Sequence, residues 1–471
     1  MNQSLLHNLP PKGLAMIIVP ESAKKLKAFV AQTQLKTLAL RMVMRMVLAF
    51  ILHRGRMSCS AAAVSIASAP IHRGELTRFL ARPRWRGHDI NGPLVRALLA
   101  RESKRGKFIF IIDATMVTQA GKKTQNSYST GNRIRRQIRK GCRYNQKKVI
   151  FKKVHNFTFG LLITPSGIRI PMQIPHLTKE YCQEHGRKHL TTAEAAAQMI
   201  RILPLDKDAE VIVLGDTAYE SSVVEQACEE KGYTWVFPAN PERVYEGPTG
   251  KRSSLRSRLK DWTNLSLKSI RLRASTGKYA DYRRLSKWRV GPKAKPRVYY
   301  AYQERRNVRN VGDVQLVFST MKLNLRQATS GDVKILLTNA TGLSVSEVLE
   351  LYSLRWQIEL FFKELKSSLG FAQYSFIDFR AVEAWVELAI TTVLYLEYER
   401  IVHMQDRRLT TEQRRWWSQQ RLHGLCHAVR QQLEFQELKY IEQRTKTFHG
   451  LKKLQRLLAA TTPKEYRLAG S

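Results

Sequence analysis

Three acidic side chains sit in patterns suited to phosphate chemistry. Asp113 follows the apolar run Phe108-Ile-Phe-Ile-Ile112, and Asp216 closes Glu210-Val-Ile-Val-Leu-Gly215. Asp is a poor strand residue, so one at the end of a buried strand costs free energy unless a cap, an ion pair or a metal compensates. The third acid, Glu359, lies in Tyr352-Ser-Leu-Arg355-Trp-Gln-Ile-Glu359-Leu-Phe-Phe-Lys-Glu-Leu-Lys366, which lacks Pro and Gly and is rich in helix formers. On a helix, Tyr352, Arg355, Glu359 and Lys366 fall within about 60° of one another. Leu351, Leu354, Ile358, Phe361, Phe362, Leu365 and Leu369 take the adjoining face and anchor it. A carboxylate framed by two cations and a phenol suits an acid that holds a metal beside groups that hold an anionic backbone. The plain alternatives are a solvated amphipathic helix and two strand-end caps, and no motif taken alone excludes them.

The elements that must position these acids follow from the pattern. Lys107 opens the first buried strand, and residues 118–153 are predicted as a long polar loop. Between Arg133 and Lys153 that loop carries ten Lys or Arg and no acid, a density suited to phosphate contacts. Strands are predicted over 155–164 and 167–174, joined by Pro165-Ser-Gly167. Thr191 with Glu194 forms a capping box that opens a helix to Ile202. The strand ending at Asp216 contains Gly215, which permits close backbone approach. A helix over 219–231 and a strand over 233–237 follow. Asp216 thus stands where a parallel strand meets its crossover helix, a usual place for ligands.

Residues 238–342 contain short alternating runs that predict a β-rich segment. Between Glu242 and Arg309 there are 20 Lys or Arg against five acids, interleaved with Trp262, Tyr279, Tyr282, Trp288, Tyr299, Tyr300 and Tyr302. Such mixing fits a DNA-facing platform, although sheet packing accounts for most aromatics of this kind. The N-terminal region predicts helices over 22–53, 60–69, 74–81 and 89–102, with Arg73, Arg78, Arg82, Arg84 and Arg86 crowded around the third. That order resembles a helix-turn-helix, and a plain bundle with a basic face is the alternative. Beyond Gly370 the chain is helical again, with an apolar helix over 381–402.

At 471 residues the chain is long enough for two to four domains. The 80 Lys and Arg against 38 acids leave a net charge of +42, which implies a polyanionic partner, nucleic acid before membrane. Five cysteines without a CxxC pair argue against disulfide staples and a zinc ribbon, and fit a reducing cytoplasm. His185 and His189 near Cys182 lack the second ligand pair that a zinc site needs. The most apolar run, Met42–Leu52, contains Arg45 and is too short to span a bilayer.

The spacing Tyr352-x2-Arg355-x3-Glu359-x6-Lys366, with Asp113 and Asp216 upstream, resembles the YREK signature of cut-and-paste DDE transposases of insertion sequences, the group named after the fourth insertion sequence. The resemblance covers about 107–370. It implies an α/β, ribonuclease-H-like catalytic core interrupted by a β-rich insertion, with helical N- and C-terminal domains. The expected parts are a DNA-binding domain over 1–106, the first part of the core over 107–237, the insertion over 238–342, the final core helix over 343–372 and a helical C-terminal region over 373–471. It also implies catalysis and metal binding by Asp113, Asp216 and Glu359 with Mg²⁺ or Mn²⁺.

Tyr352, Arg355, Lys366, Arg133, Arg135, Arg136, Arg139, Lys140 and Trp288 are the expected DNA contacts. Partners are double-stranded DNA, at the element's ends and at the target, and a second copy of the chain in a synaptic complex. The expected location is the prokaryotic cytoplasm, on the nucleoid, with no membrane. One departure stands out: Ile335 occupies the place where hairpin-forming relatives carry a base-capturing Trp, which leaves excision through a DNA hairpin open. Two rivals are an inactive, domesticated relative that only holds DNA, and another ribonuclease-H-like nuclease such as a junction resolvase. Mg²⁺-dependent nicking separates the first from an active enzyme, and the long insertion with its YREK spacing counts against the second.

Overall fold

The computed structural model describes residues 20–445, apart from 54, 66–70, 84, 86, 103–104, 120, 122, 135–147, 248–249, 251, 273–277, 280–281, 283–295 and 323. Two compact units emerge: a helical one from residues 1–101, 120–125 and 363–471, and a sheet-based one from 102–119 and 126–362.

The helical unit begins with α1 (Pro20–Ala31), α2 (Thr37–Leu52), α3 (Cys59–Val64), α4 (Arg73–Ala81) and α5 (Gly87–Leu99). A single helix over 22–53 is not formed. Thr33 Oγ1 donates to the Val30 carbonyl at 2.7 Å and Gln34 takes a left-handed conformation (φ 55°), so the chain turns before α2. On α4, Leu76 and Leu80 are buried while Arg73 and Arg78 face solvent. Arg84 and Arg86 lie outside the described residues.

The sheet unit holds β1 (Lys107–Gln119), β2 (Tyr128–Ile134), β3 (Lys148–Ile163), β4 (Arg169–Pro175), α6 (Lys179–His185), α7 (Thr192–Arg201), β5 (Glu210–Leu214), α8 (Ser222–Glu230) and β6 (Thr234–Pro238). Then come β7 (Val244–Glu246), β8 (Arg252–Ser254), α9 (Leu255–Lys260), β9 (Lys268–Leu272), β10 (Arg297–Val308), β11 (Gly312–Thr320), β12 (Lys334–Thr338) and α10 (Val345–Leu354). The next helix, α11 (Trp356–Ser368), starts in this unit and ends in the helical one.

One sheet runs in the order β2-β3-β1-β5-β6-β12-β11-β10-β7-β8, with β4 added on β3 and β9 on β10. Within it, β4-β3-β1-β5-β6 has three antiparallel strands followed by two parallel pairings, β1 with β5 and β5 with β6. This mixed α/β arrangement is compatible with a ribonuclease-H-like core. Strands from the segment 238–342 continue that sheet, β12 pairing antiparallel with β6 through Leu337↔Phe237.

Phe108 to Ile112 are all buried, as a strand covered on both faces requires. Helices α7 and α8 pack on each other, α7 against β3 and β4 and α8 against β6. The capping box at Thr191 forms as the sequence implies, with Glu194 Oε2 accepting from the Thr191 N–H at 2.8 Å.

Among the described residues of 118–153, where a polar loop is expected, most are strand. β1 runs on to Gln119, and β2 pairs with β3 through Tyr128↔Val154 to Ile134↔Lys148. Polar residues suit a ribbon with solvated faces, which carries no apolar alternation.

The remaining helices are α12 (Phe379–Gln405), α13 (Thr411–Gln419) and α14 (Leu422–Thr445). In the helical unit α12 is the centre: Trp385 is fully buried edge-on to Phe50 at 5.0 Å, and Phe29 lies 4.8 Å from the Tyr398 ring. No helix among the described residues is long and apolar enough to cross a membrane.

Candidate active site

The first acid is placed by register. β1 pairs with β5 up to Ile111↔Leu214, so Asp113 and Asp216 each stand two residues past the same rung of a parallel ladder. Across the other edge of β1, Asp113 pairs with Phe159. The Phe159 ring meets those of Phe362 at 5.4 Å and Phe361 at 6.5 Å, both on α11. One buried phenylalanine therefore ties the strand of Asp113 to the helix of Glu359. Gln357, 3% exposed on α11, donates to the Tyr282 carbonyl at 2.6 Å, and Tyr282 Oη donates to the Lys107 carbonyl at the start of β1.

Gly215 sits at a close approach. A Cβ there would lie 3.0 Å from the Phe237 ring and 3.1 Å from Tyr219 Cβ. Asp216 then caps a short 3-10 turn, its Oδ1 accepting from the Ala218 N–H at 2.9 Å. The segment after it is clamped by Arg243, whose Nε donates to Glu220 and whose Nη2 donates to Glu225, both at 2.6 Å. The side chains of Glu220 and Glu225 are 2% and 4% exposed, and that of Arg243 15%. Burial pushes the Glu225 carboxyl up to about 7 although Arg243 opposes the shift.

Helical hydrogen bonding is interrupted at Arg355, where a continuous helix over 352–366 is expected. The Arg355 N–H donates to Tyr352 O at 3.1 Å and the Ile358 N–H to Arg355 O at 3.3 Å, the tighter i to i+3 pattern. The guanidinium bridges two of the acids, with Nη2 at 2.5 Å from Glu359 Oε1 and Nη1 at 3.4 Å from Asp113 Oδ2. Burial raises the Asp113 carboxyl to about 6. The Ala114 N–H, at 2.8 Å, opposes the shift, Asp216 adds to it, Arg355 opposes it and Glu359 adds to it. The Tyr352 phenol is raised by burial, with Arg355, Asp216 and Glu359 all close enough to act on it.

The structure therefore brings Asp113, Asp216, Glu359, Tyr352 and Arg355 into one electrostatic neighbourhood. Sequence reasoning missed Tyr219, fully buried, whose phenol is pushed up by burial and by the charges of Asp113 and Asp216. The turn Asp216-Thr-Ala-Tyr219 was its available signal. Lys366 lies in the last turn of α11, within the helical unit, where burial lowers its ammonium. Arg133 falls on β2, and Arg135, Arg136, Arg139, Lys140 and Trp288 lie outside the described residues. Ile335 is buried in β12 opposite Phe318.

Among the described residues no three acidic, histidine or cysteine side chains stand close enough to hold one metal ion as they are. The donor set is nonetheless all carboxylate, without thiolate or imidazole, which suits a hard divalent cation. The guanidinium of Arg355 already occupies the part of a positive charge between two members of the set. The donor types suit such a cation, but as placed they form no metal-ligand cluster among the described residues, and Arg355 supplies the positive charge between Asp113 and Glu359.

No curated protein matches the chain. Residues 182–395 match the family model described as the transposase DDE domain, a span that includes Asp216 and Glu359 and begins after Asp113, and the match supports a DDE transposase.

Proposed function

We propose that the chain is a cut-and-paste transposase of the YREK type. It binds the terminal inverted repeats of its element, cleaves DNA at the ends and joins the 3′-hydroxyls to target DNA. The observation that carries this reading is Arg355 held between Asp113 and Glu359, with Asp216 near enough to raise the Asp113 carboxyl. Asp113, Asp216 and Glu359 would hold Mg²⁺ or Mn²⁺, which when bound supplies the charge that activates a water or 3′-hydroxyl and stabilises the leaving oxygen.

The chain's own residues do the rest. Arg355 exchanges its carboxylate partners for a backbone phosphate, for which a planar guanidinium is well shaped. Tyr352 orients the sugar-phosphate chain at the cleaved end, and Lys366 with the basic stretch 133–153 holds flanking phosphates. Burial makes the Asp113 carboxylate less favourable than in water, so a cation bound beside it would relieve that cost and DNA and metal would assemble the charged site together. Two copies of the chain hold the paired ends, and the reaction takes place on the prokaryotic nucleoid.

The test is Asp113→Ala in the full chain on DNA carrying the element's ends. Loss of nicking and strand transfer with end binding retained supports the proposal. Activity unchanged by the substitution overturns it. End binding by wild-type protein without nicking in Mg²⁺ or Mn²⁺ favours a protein that only holds DNA.

A further inference from the structure

Strand β3 outruns β1. The β1 ladder stops at Gln119↔Lys153, and Lys148–Lys152 pair with β2 alone, so a two-stranded ribbon extends past the three-stranded part of the sheet. Such a ribbon is marginal in water by itself, so a surface that covers it gains stability. On it Phe151 is 70% exposed, more than any other large apolar side chain among the described residues. Gly131 is its direct cross-strand partner and offers no side chain to cover the ring. Lys152 and Lys153 beside it are exposed, and the sequence from Arg133 to Lys153 holds ten cations and no acid.

Register fixes which way the ring faces. Directly paired residues point to the same face and alternate residues share it. Asp113 pairs with Phe159, and eight residues back along β3 stands Phe151, an even number, so Phe151 and Asp113 leave the sheet on one face. Eight strand residues span roughly 26 Å, about the length of eight base pairs of duplex. An exposed phenylalanine set among lysines, with a glycine opposite, matches an apolar wedge entering a base step while cations hold the neighbouring phosphates.

We propose that the β2–β3 ribbon is a second duplex-DNA contact, in which Phe151 inserts at a base step about eight base pairs from the cleaved phosphate. The inference rests on the transposase reading and deepens it, because it names where the enzyme grips the flanking duplex and how. Lys152 and Lys153 contribute to the salt dependence of that grip, and the ring contributes its position.

The experiment uses the full chain in metal-free buffer with end DNA carrying 2-aminopurine at successive positions. Wild-type protein is expected to raise the fluorescence at one step near the eighth base pair, where unstacking occurs. Phe151→Ala should abolish that signal and weaken binding about 5- to 100-fold, while Phe151→Trp retains both. A melting curve for each variant checks the fold, which an exposed side chain does not support. Equal affinity and an unchanged fluorescence profile in Phe151→Ala overturn the ribbon contact while leaving end cleavage by the acids intact. A loss of self-association without DNA in Phe151→Ala, with DNA binding unchanged, assigns the patch to protein contact and also overturns it. Failure of wild-type protein to bind DNA at all overturns the transposase reading and this inference together.

Discussion

Replacing Arg243 by Met tests whether the second acid is held by an ionic clamp. The substitution keeps most of the apolar stem and removes the cation from two carboxylates whose side chains are 2% and 4% exposed. Breaking a buried pair by taking one partner away costs about 3–5 kcal/mol, because the remaining charge is left uncompensated. For a unit of this size each kcal/mol lowers the midpoint by roughly 2–4 °C, so the full loss, reached only where both carboxyls are ionised, is about 6–20 °C, and at pH 8 a part of it is expected.

The sign of the pH dependence follows from Glu225, raised from 4.5 to about 7 in the folded chain, and from Glu220, also raised, in both cases chiefly by burial. A carboxyl with a raised folded pKa contributes stability that is present below 4.5 and lost as pH rises through about 7. Removing Arg243 takes away the charge that opposes the shift, so both carboxyls rise further and keep their protons to higher pH. The deficit of Arg243→Met is therefore small near pH 5, already present at pH 8 and still growing above it. Thermal melts at the two pH values measure it, and Glu225→Gln in the Arg243→Met background should recover part of the loss at pH 8. A midpoint at pH 8 indistinguishable from wild type, or a deficit larger at pH 5 than at pH 8, refutes the reasoning. Since Glu220 lies four residues beyond Asp216, turnover should fall along with stability.

Two further outcomes follow from the strand that carries the first acid. Asp113, raised from 3.8 to about 6, contributes stability below 3.8 that is lost as pH rises through about 6. Asp113→Asn should thus be more stable than wild type at pH 7.5 by about 1–3 kcal/mol, with the gain fading toward pH 4. Urea unfolding at both values checks this, and a less stable variant at pH 7.5 would sink it. At Gly160, opposite Ile112 in the ladder, an added Cβ would lie 2.2 Å from Phe110 Cζ, and that ring is fully buried. Gly160→Ala should cost about 1–3 kcal/mol by overpacking, measured as a lower urea midpoint, and an unchanged midpoint would show that the ring has room to move.

Local order and chemistry were legible in the chain because they depend on neighbours in sequence. The run ending at Asp216 forms β5, and the run before Asp113 forms the first half of β1, which carries on through Asp113 to Gln119 instead of ending there. The basic excess and the spacing from Tyr352 to Glu359 need no partner to be seen. Three features depended on contacts across the chain. Pairing with β1 and β2 made the polar stretch before Val154 a strand, because backbone groups are satisfied by partners whatever the side chains. Phe159 lies 200 residues from Glu359 and couples it to Asp113 only through the ladder and ring contacts. The reach of Arg355 from its i+4 neighbour Glu359 to Asp113, 242 residues away, and the clamp of Arg243 on Glu220 and Glu225 are electrostatics that only the fold assembles. Periodicity carries no record of such pairs, since the attraction that fixes them appears only once folding has excluded water from between them.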